Sequence, residues 1–332
     1  MSSGMNYNKA RHMILKDIVD QIRRYPGITR KRDIHHVVEI LRNVDTSSQI
    51  VTDFGEDAAA ISYDGHYLLL AAEGMWPKFV KAEPYAAGKA AVMASVNDIY
   101  AMGGKPLALV NVLSASRGED YKLIMEGVQK GCQKFRVPMV GGHFNPDSEE
   151  TSLSVSILGT ARKLLRSTNA REGQKIVLAV DLDGTDGKCK SVFSWDANSG
   201  KTSSYILERL DILRYLAEEG ICQTAKDVSN GGILGTVSLL CECSRKGGVV
   251  MLDKIPKPPS FNLLDWLKAF LSYGFILCVN DPCLSACLDS FHRKGIFAGV
   301  VGEVLKERQI VLQFKGTKEV LFNFDRESIT GI

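Results

Sequence analysis

From Pro84 to about Met102 the chain reads as one long helix, stopped by Gly103-Gly104, in which alanine recurs at positions 86, 87, 90, 91 and 94. Proline suits the first turn of a helix and glycine its end. Side chains this small let neighbouring backbones approach closely. Toward its end the helix carries Asn97-Asp98, with Ala91, Ala94 and Ser95 flanking the face that Asp98 occupies. A partly buried carboxylate in that setting needs a partner, and a divalent metal is the economical one.

The segments around this helix alternate in type. Residues 9–24 predict a helix with the stripe Ile14, Leu15, Ile18, Val19 and Ile22, ended by Pro26-Gly27, and 33–42 predict a second. Ala58 to Ser62 and Tyr67 to Ala72 read as a hairpin about the turn Asp64-Gly65. After the alanine-rich helix come a strand at Leu107–Leu113, a helix at Asp120–Phe135 and a strand at Leu153–Gly159. A polar stretch, Arg166–Gly173, then precedes a strand at Lys175–Val180 and a helix at Ser204–Glu219. Beyond it lie a turn at Asp227–Gly232, a helix to about Ser244, helices at 263–271 and 284–293, and strands at 275–279, 298–304 and 310–314. This alternation predicts an α/β (α+β) protein in two parts. The expected divisions are a helical extension over 1–48, a first domain over 49–168 and a second over 169–332.

Composition excludes several classes. Lysine and arginine number 41 against 38 acidic residues, and only Arg30-Lys31-Arg32 makes a dense basic run, so no nucleic-acid partner is expected. No segment reaches the roughly 18 apolar residues of a membrane helix. The start Met1-Ser2-Ser3-Gly4 has no apolar core of a secretion signal, which makes the cytoplasm the expected location. The eight cysteines form no CxxC pair and no Cys/His cluster, so free and mostly buried thiols are expected.

Polar residues interrupt apolar structure in several more places. Asp53-Phe54-Gly55-Glu56-Asp57 puts adjacent carboxylates just before a strand, an arrangement that suits either a solvated acidic turn or a bound cation. Glu73-Gly74 ends an apolar run, as a strand stopper or as a carboxylate reaching an ion. Asp227-Val228-Ser229-Asn230-Gly231-Gly232 leads straight into a helix, as an ordinary cap or as a phosphate site made of free amides and close-approach glycines. Gly141-Gly142-His143-Phe144-Asn145 reads as a tight turn or a second phosphate or metal loop. By contrast, Ser199-Gly200-Lys201-Thr202 only imitates the end of a phosphate-binding loop. The full motif requires glycine where Trp195 stands.

Taken in order, three of these segments resemble the superfamily of aminoimidazole ribonucleotide synthetase (PurM), thiamine-monophosphate kinase, selenophosphate synthetase and HypE. Gly55-Glu56-Asp57-Ala58-Ala59 resembles its early G-D-D-A-A loop. Val96 to Gly104 resembles its S-D-x-x-A-M-G helix, and Asp227 to Gly232 its D-x-[ST]-x-G-G element. The longer segments look similar to AIR synthase-related and methanogenesis-marker proteins. The resemblance implies a two-domain fold whose N-terminal domain forms a dimeric β-barrel flanked by helices, followed by an α/β domain. It further implies ATP, Mg2+, a homodimer and a small-molecule acceptor whose phosphate or amide oxygen takes the phosphoryl group. A non-catalytic nucleotide-binding or scaffold protein is the alternative.

Carried over residue by residue, Asp57, Glu73, Asp98 and Asp227 are the implied metal ligands. Asp57, Asp98, Asp227 and His143 are the implied catalytic residues. Asn97, Gly141, Gly142, His143, Asn145, Ser229, Asn230 and Gly231 are implied to hold the nucleotide. Glu73 stands where the relatives usually have aspartate.

Overall fold

The computed structural model describes residues 2–42, 44, 47–52, 54–116, 121–187 and 192–332. Asp53, the predicted helix start Asp120 and Cys189 therefore lie outside the described residues. In chain order, α1 (Ser2–Arg23), α2 (Pro26–Thr29) and α3 (Ile34–Leu41) precede β1 (Ala59–Tyr63) and β2 (His66–Gly74). The short α4 (Pro77–Ala82) and the long α5 (Pro84–Ala101) follow, then β3 (Lys105–Ser114), α6 (Tyr121–Phe135), β4 (Met139–Asn145) and β5 (Ser152–Ala161). Next come β6 (Lys175–Val180), β7 (Thr185–Asp186), β8 (Ser194–Asp196), α7 (Ser203–Glu218), β9 (Ala225–Asp227), α8 (Gly232–Cys243) and β10 (Gly247–Met251). The chain ends with α9 (Leu263–Lys268), β11 (Phe270–Leu271), β12 (Gly274–Val279), α10 (Asp281–His292), β13 (Phe297–Leu305), β14 (Gln309–Phe314) and β15 (Thr317–Asn323).

Two units interleave along this order. One comprises Ser47–Leu165 and Asp183–Gly220; the other takes Met1–Thr46, Arg166–Leu182 and Ile221–Ile332. Residues 1–46 thus group with the C-terminal strands, and 183–220 with the first sheet, a partition that differs from cuts at 48 and 168.

In the first unit a five-stranded sheet runs β1-β2-β5-β3-β4. Its strands alternate. Leu69, Ala71, Leu109, Leu113, Val155 and Ile157 are buried on one face, while Leu70, Val110, Val112 and Leu158 are exposed on the other. Helix α5 covers the buried face, with Ile99 seated against Gly159. Its end is fixed by a Schellman cap: Gly104 N–H donates to the Ile99 carbonyl at 2.9 Å and Gly103 N–H to that of Tyr100 at 2.8 Å. Gly103 takes φ +77° there, a conformation in which a side chain is strained. Small residues also bring α6 close: a β-carbon on Gly88 would lie 2.8 Å from the Val128 nitrogen.

The expected barrel is not present. Strands β1 and β4 are the two edges of an open sheet, and no sheet among the described residues closes on itself. Closure would require β1 to pair with β4. Instead β1 pairs with β2, and β4 runs parallel to β3.

In the second unit a seven-stranded sheet runs β15-β14-β10-β13-β6-β12-β9, with β10–β14 its parallel pair. Its central strands are buried on both faces, all six residues in β12 and five of six in β6. Helix α1 buries Leu15, Ile18, Val19 and Ile22 and packs beside β15. Arg23 forks onto Glu327 at 2.9 and 2.5 Å and also donates to the Leu321 carbonyl at 2.6 Å. The buried Glu242 of α8 accepts from the Ile329 and Thr330 amides at 2.7 and 3.0 Å. Cys222, Cys241, Cys278 and Cys287 are buried free thiols.

Candidate metal and nucleotide site

Helix α5 delivers Asn97 and Asp98 into the first unit at 1% and 5% exposure. Asp57 sits half-buried in the turn that enters β1, next to the buried Ala58. Carboxylate oxygens of Asp57 and Asp98 lie within 4.8 Å of each other. Two like charges at that separation, one of them largely removed from water, raise each other's energy unless a cation or a proton intervenes. The donors are hard oxygens, the kind that suits Mg2+.

Glu73 ends β2 opposite Val155, on the sheet face that α5 covers. It contributes no oxygen to the close carboxylate group. In the second unit Asp227, 4% exposed, ends β9 and pairs with Phe275 of β12. The turn after it closes with Gly232 N–H on the Ser229 carbonyl at 2.9 Å, and α8 begins there. Gly231 is buried, Ser229 half-buried and Asn230 exposed. Gly232 holds φ +68°, and a β-carbon on it would collide with the backbone of Leu267 and Lys268.

The segment from Gly141 to Asn145 is a strand, where the glycine pair suggested a loop. It extends the parallel pairing with β3, so ladder bonding overrides the local turn tendency. Pairing in register fixes its faces: His143 lies beside Val112 and Gly141 beside Val110, on the exposed side. His143 Nε2 is 3.0 Å from Asn145 Oδ1 there. Only Gly142 among the four expected residues of this strand shares the α5 side, next to the buried Asn111.

Sequence reasoning passed over Asn111. The signal was present as a polar residue at an inward position between Leu109 and Leu113. It also passed over Tyr100, whose hydroxyl pKa is pushed up to about 12, mainly by burial and then by Asp211, against the opposing pull of Arg214.

The imitation phosphate loop is occupied by internal contacts. Lys201 Nζ lies 3.3 Å from Asp183 Oδ2, and Thr202 caps α7 by accepting from the Tyr205 amide at 3.2 Å. Lys134 donates to the carbonyls of Asn198 and Lys201 at 3.3 and 2.5 Å, and its pKa is lowered by burial first and by Lys130 and Lys89 next.

Residues 55–161 match the N-terminal domain of AIR synthase related proteins and residues 171–315 the C-terminal domain. The chain belongs to the AIR synthase related family. Its relatives include uncharacterized protein MJ0640 of Methanocaldococcus jannaschii, 40% identical across 96% of this chain and 100% of the relative. Uncharacterized protein sll0787 of Synechocystis sp. is 33% identical across 96% of this chain and 98% of its own length. Among solved structures, Thermotoga maritima PurL complexed with ATP superposes with a TM-score of 0.69 at 23% identity, over 82% of this chain and 47% of PurL. The chain spans just under half the length of PurL, and at this identity the likeness is one of fold.

Proposed function

We propose that the protein is a Mg2+-dependent, ATP-binding enzyme that transfers a phosphoryl group from ATP to an oxygen of a small-molecule acceptor. The observation that carries this reading is the Asp57–Asp98 pair, two hard oxygen donors in reach of one cation, each on a segment that resembles a family motif. The solved relative bound to ATP supports the nucleotide. Asp57 and Asp98 would hold the magnesium, and Asn97 would fix its surroundings. We assign Asp227, in the second unit, as a further carboxylate for a magnesium ion that accompanies the phosphate groups. Ser229, Asn230 and Gly231 at the start of α8 would take a phosphate through backbone amides. When bound, magnesium offsets the crowded negative charge and polarises the transferred phosphoryl group. The terminal bond of ATP breaks, ADP leaves, and the acceptor oxygen gains the phosphoryl group. His143 and Asn145, on the opposite sheet face, have no part in this scheme.

The same proposal includes a homodimer formed through the exposed face of the five-stranded sheet, where Leu70, Val110, Val112 and Leu158 offer an apolar surface. It also includes a cytoplasmic location, which suits the buried free thiols. No helix among the described residues is long and apolar enough to cross a membrane.

Titration calorimetry with ATP, with and without magnesium, tests the reading. Asp98→Asn keeps the shape and removes the charge, so unliganded stability should hold or rise slightly. Magnesium-dependent affinity should fall at least tenfold, equivalent to about 1.4 kcal/mol. Equal affinity of the wild type in EDTA, or of D98N in magnesium, would remove α5 from the metal site.

A further inference from the structure

Residues before 55 lie outside both matched family domains, yet α2 packs directly on the turn that follows β9, and α1 reaches the α9 segment behind it. Gly27, buried in α2, faces the backbone of Asn230. A β-carbon on Gly27 would overlap the Asn230 carbonyl oxygen and stand 2.8 Å from its carbon. One turn further into α8, a β-carbon on Gly235 would lie 3.3 Å from Ile28 Cγ1. On the Gly232 side of the turn, Lys268 is buried and donates from Nζ to Gln21 Oε1 of α1 at 3.2 Å. Its Nζ lies 5.9 Å from the centre of the Tyr25 ring. Helix α2 therefore meets the turn on its Asn230 side, and α1 braces the Gly232 side through Lys268, whose backbone lies against Gly232.

Peptide geometry gives this packing a consequence. In a planar trans peptide the carbonyl of Asn230 and the N–H of Gly231 point in opposite directions. Glycine at 231 imposes little steric preference on φ, so by itself this peptide can rotate between two orientations. Seating the carbonyl oxygen against Gly27 selects one of them, with the Gly231 N–H turned away from α2. In the reverse orientation a carbonyl oxygen would replace that N–H and repel an anion.

We propose that α1 and α2 hold the Asn230–Gly231 peptide in the orientation that offers the Gly231 N–H to a phosphate group, which makes Gly27 a positioning residue for the turn. The proposal rests on the phosphate-binding reading of this turn given above. It assigns the N-terminal helices a part in ligand binding that lies outside the two matched family domains.

Amide hydrogen exchange of the unliganded full chain, combined with magnesium–ATP titration, tests it. Gly27→Ala should speed exchange across residues 229–234 about tenfold relative to amides of β6 and β12. It should also weaken magnesium–ATP binding about fivefold. Should G27A fail to fold, Ile28→Val leaves Gly27 in place and should speed exchange in the same segment about twofold. A merely structural role predicts a lower Tm with wild-type relative exchange at 229–234, and that result in the folded variant overturns the proposal. D98N separates the two claims, because it should lose magnesium–ATP affinity while the turn exchanges as in the wild type. If the wild type itself binds no magnesium–ATP, the functional reading falls, and exchange at 229–234 still decides whether α2 holds the turn.

Discussion

The two sheets differ in how many of their faces are covered, and the difference is written into the period of their strands. β5 alternates buried and exposed residues along Ser152–Ala161, as a strand covered on one side must. β6 and β12, Lys175–Val180 and Gly274–Val279, read instead as continuous apolar runs and are buried on both sides. Period two therefore reports one covering layer and an unbroken apolar run reports two. The contrast also separates what each sheet can do. The seven-stranded sheet has its central strands sealed and carries the buried carboxylate Asp227 at a strand end. The five-stranded sheet leaves one face, with Leu70, Val110, Val112 and Leu158, exposed.

The strongest way to break this comparison is to truncate equivalent side chains in the two sheets. Ile276, fully buried between β6 and β9, should cost about 2–5 kcal/mol as Ile276→Ala, because the surrounding layers relax only partly into the space. Chemical denaturation of the variant against the wild type measures it. A loss below about 1 kcal/mol would show that the central strands are less tightly covered than their burial implies.

A smaller effect sharpens the contrast through pH. Tyr100 lies in the first unit, and burial, reinforced by Asp211, raises its pKa from 10.0 to about 12. A group whose pKa is higher folded than unfolded contributes stability that is complete below the unfolded value and is lost as pH rises through the folded one. The expected loss between pH 10 and 12 is on the order of 3 kcal/mol for a shift of this size. In the second unit, burial raises Cys222 and Cys241 to about 12 from 9.0, so their contribution declines over the same alkaline range but starts earlier. Melting temperatures of the wild type and Tyr100→Phe, followed from pH 8 to 12, isolate the tyrosine. The variant should lose less stability than the wild type above pH 10. Parallel curves would mean that α5 does not shield this hydroxyl.

How much was legible in the sequence follows from how local each signal is. The alanine-rich helix, with Pro84 at one end and Gly103-Gly104 just past the other, carries its start, its stop and its close-packing face within one local stretch of chain. It was read within a residue of its observed bounds. Asp57 and Asp98, whose carboxylate oxygens come within 4.8 Å of each other, stood out because each interrupts an apolar pattern. The faces of β4 were not readable, since Gly141-Gly142 signals a turn locally and only pairing with β3 makes it a strand. β10 and β15 went unread as strands, and so did the placement of α1 beside β15, a long-range contact that no short-range period encodes. The open sheet was beyond sequence reasoning for the same reason. Edges are defined by which strands fail to pair.

The smallest expected effect concerns the open face, and it discriminates best because its size depends on company. Val112 is 49% exposed and lies in register with His143 of β4 and Ser154 of β5. In an isolated chain Val112→Ala should change stability by no more than about 0.5 kcal/mol, as surface substitutions do. If a second copy covers this face, the same truncation should cost more and the cost should depend on protein concentration, because association and folding are then linked. A charged side chain amplifies the difference. Val112→Lys should be nearly neutral in a monomer, whereas in a dimer it would bury an ammonium among Leu70, Val110 and Leu158 and drive the copies apart. Sedimentation at micromolar concentration reads the outcome directly. The wild type is expected at twice 36.5 kDa and V112K at 36.5 kDa. A wild type that sediments at the single-chain mass would leave the face open to solvent, and the apolar residues on it would then need another occupant.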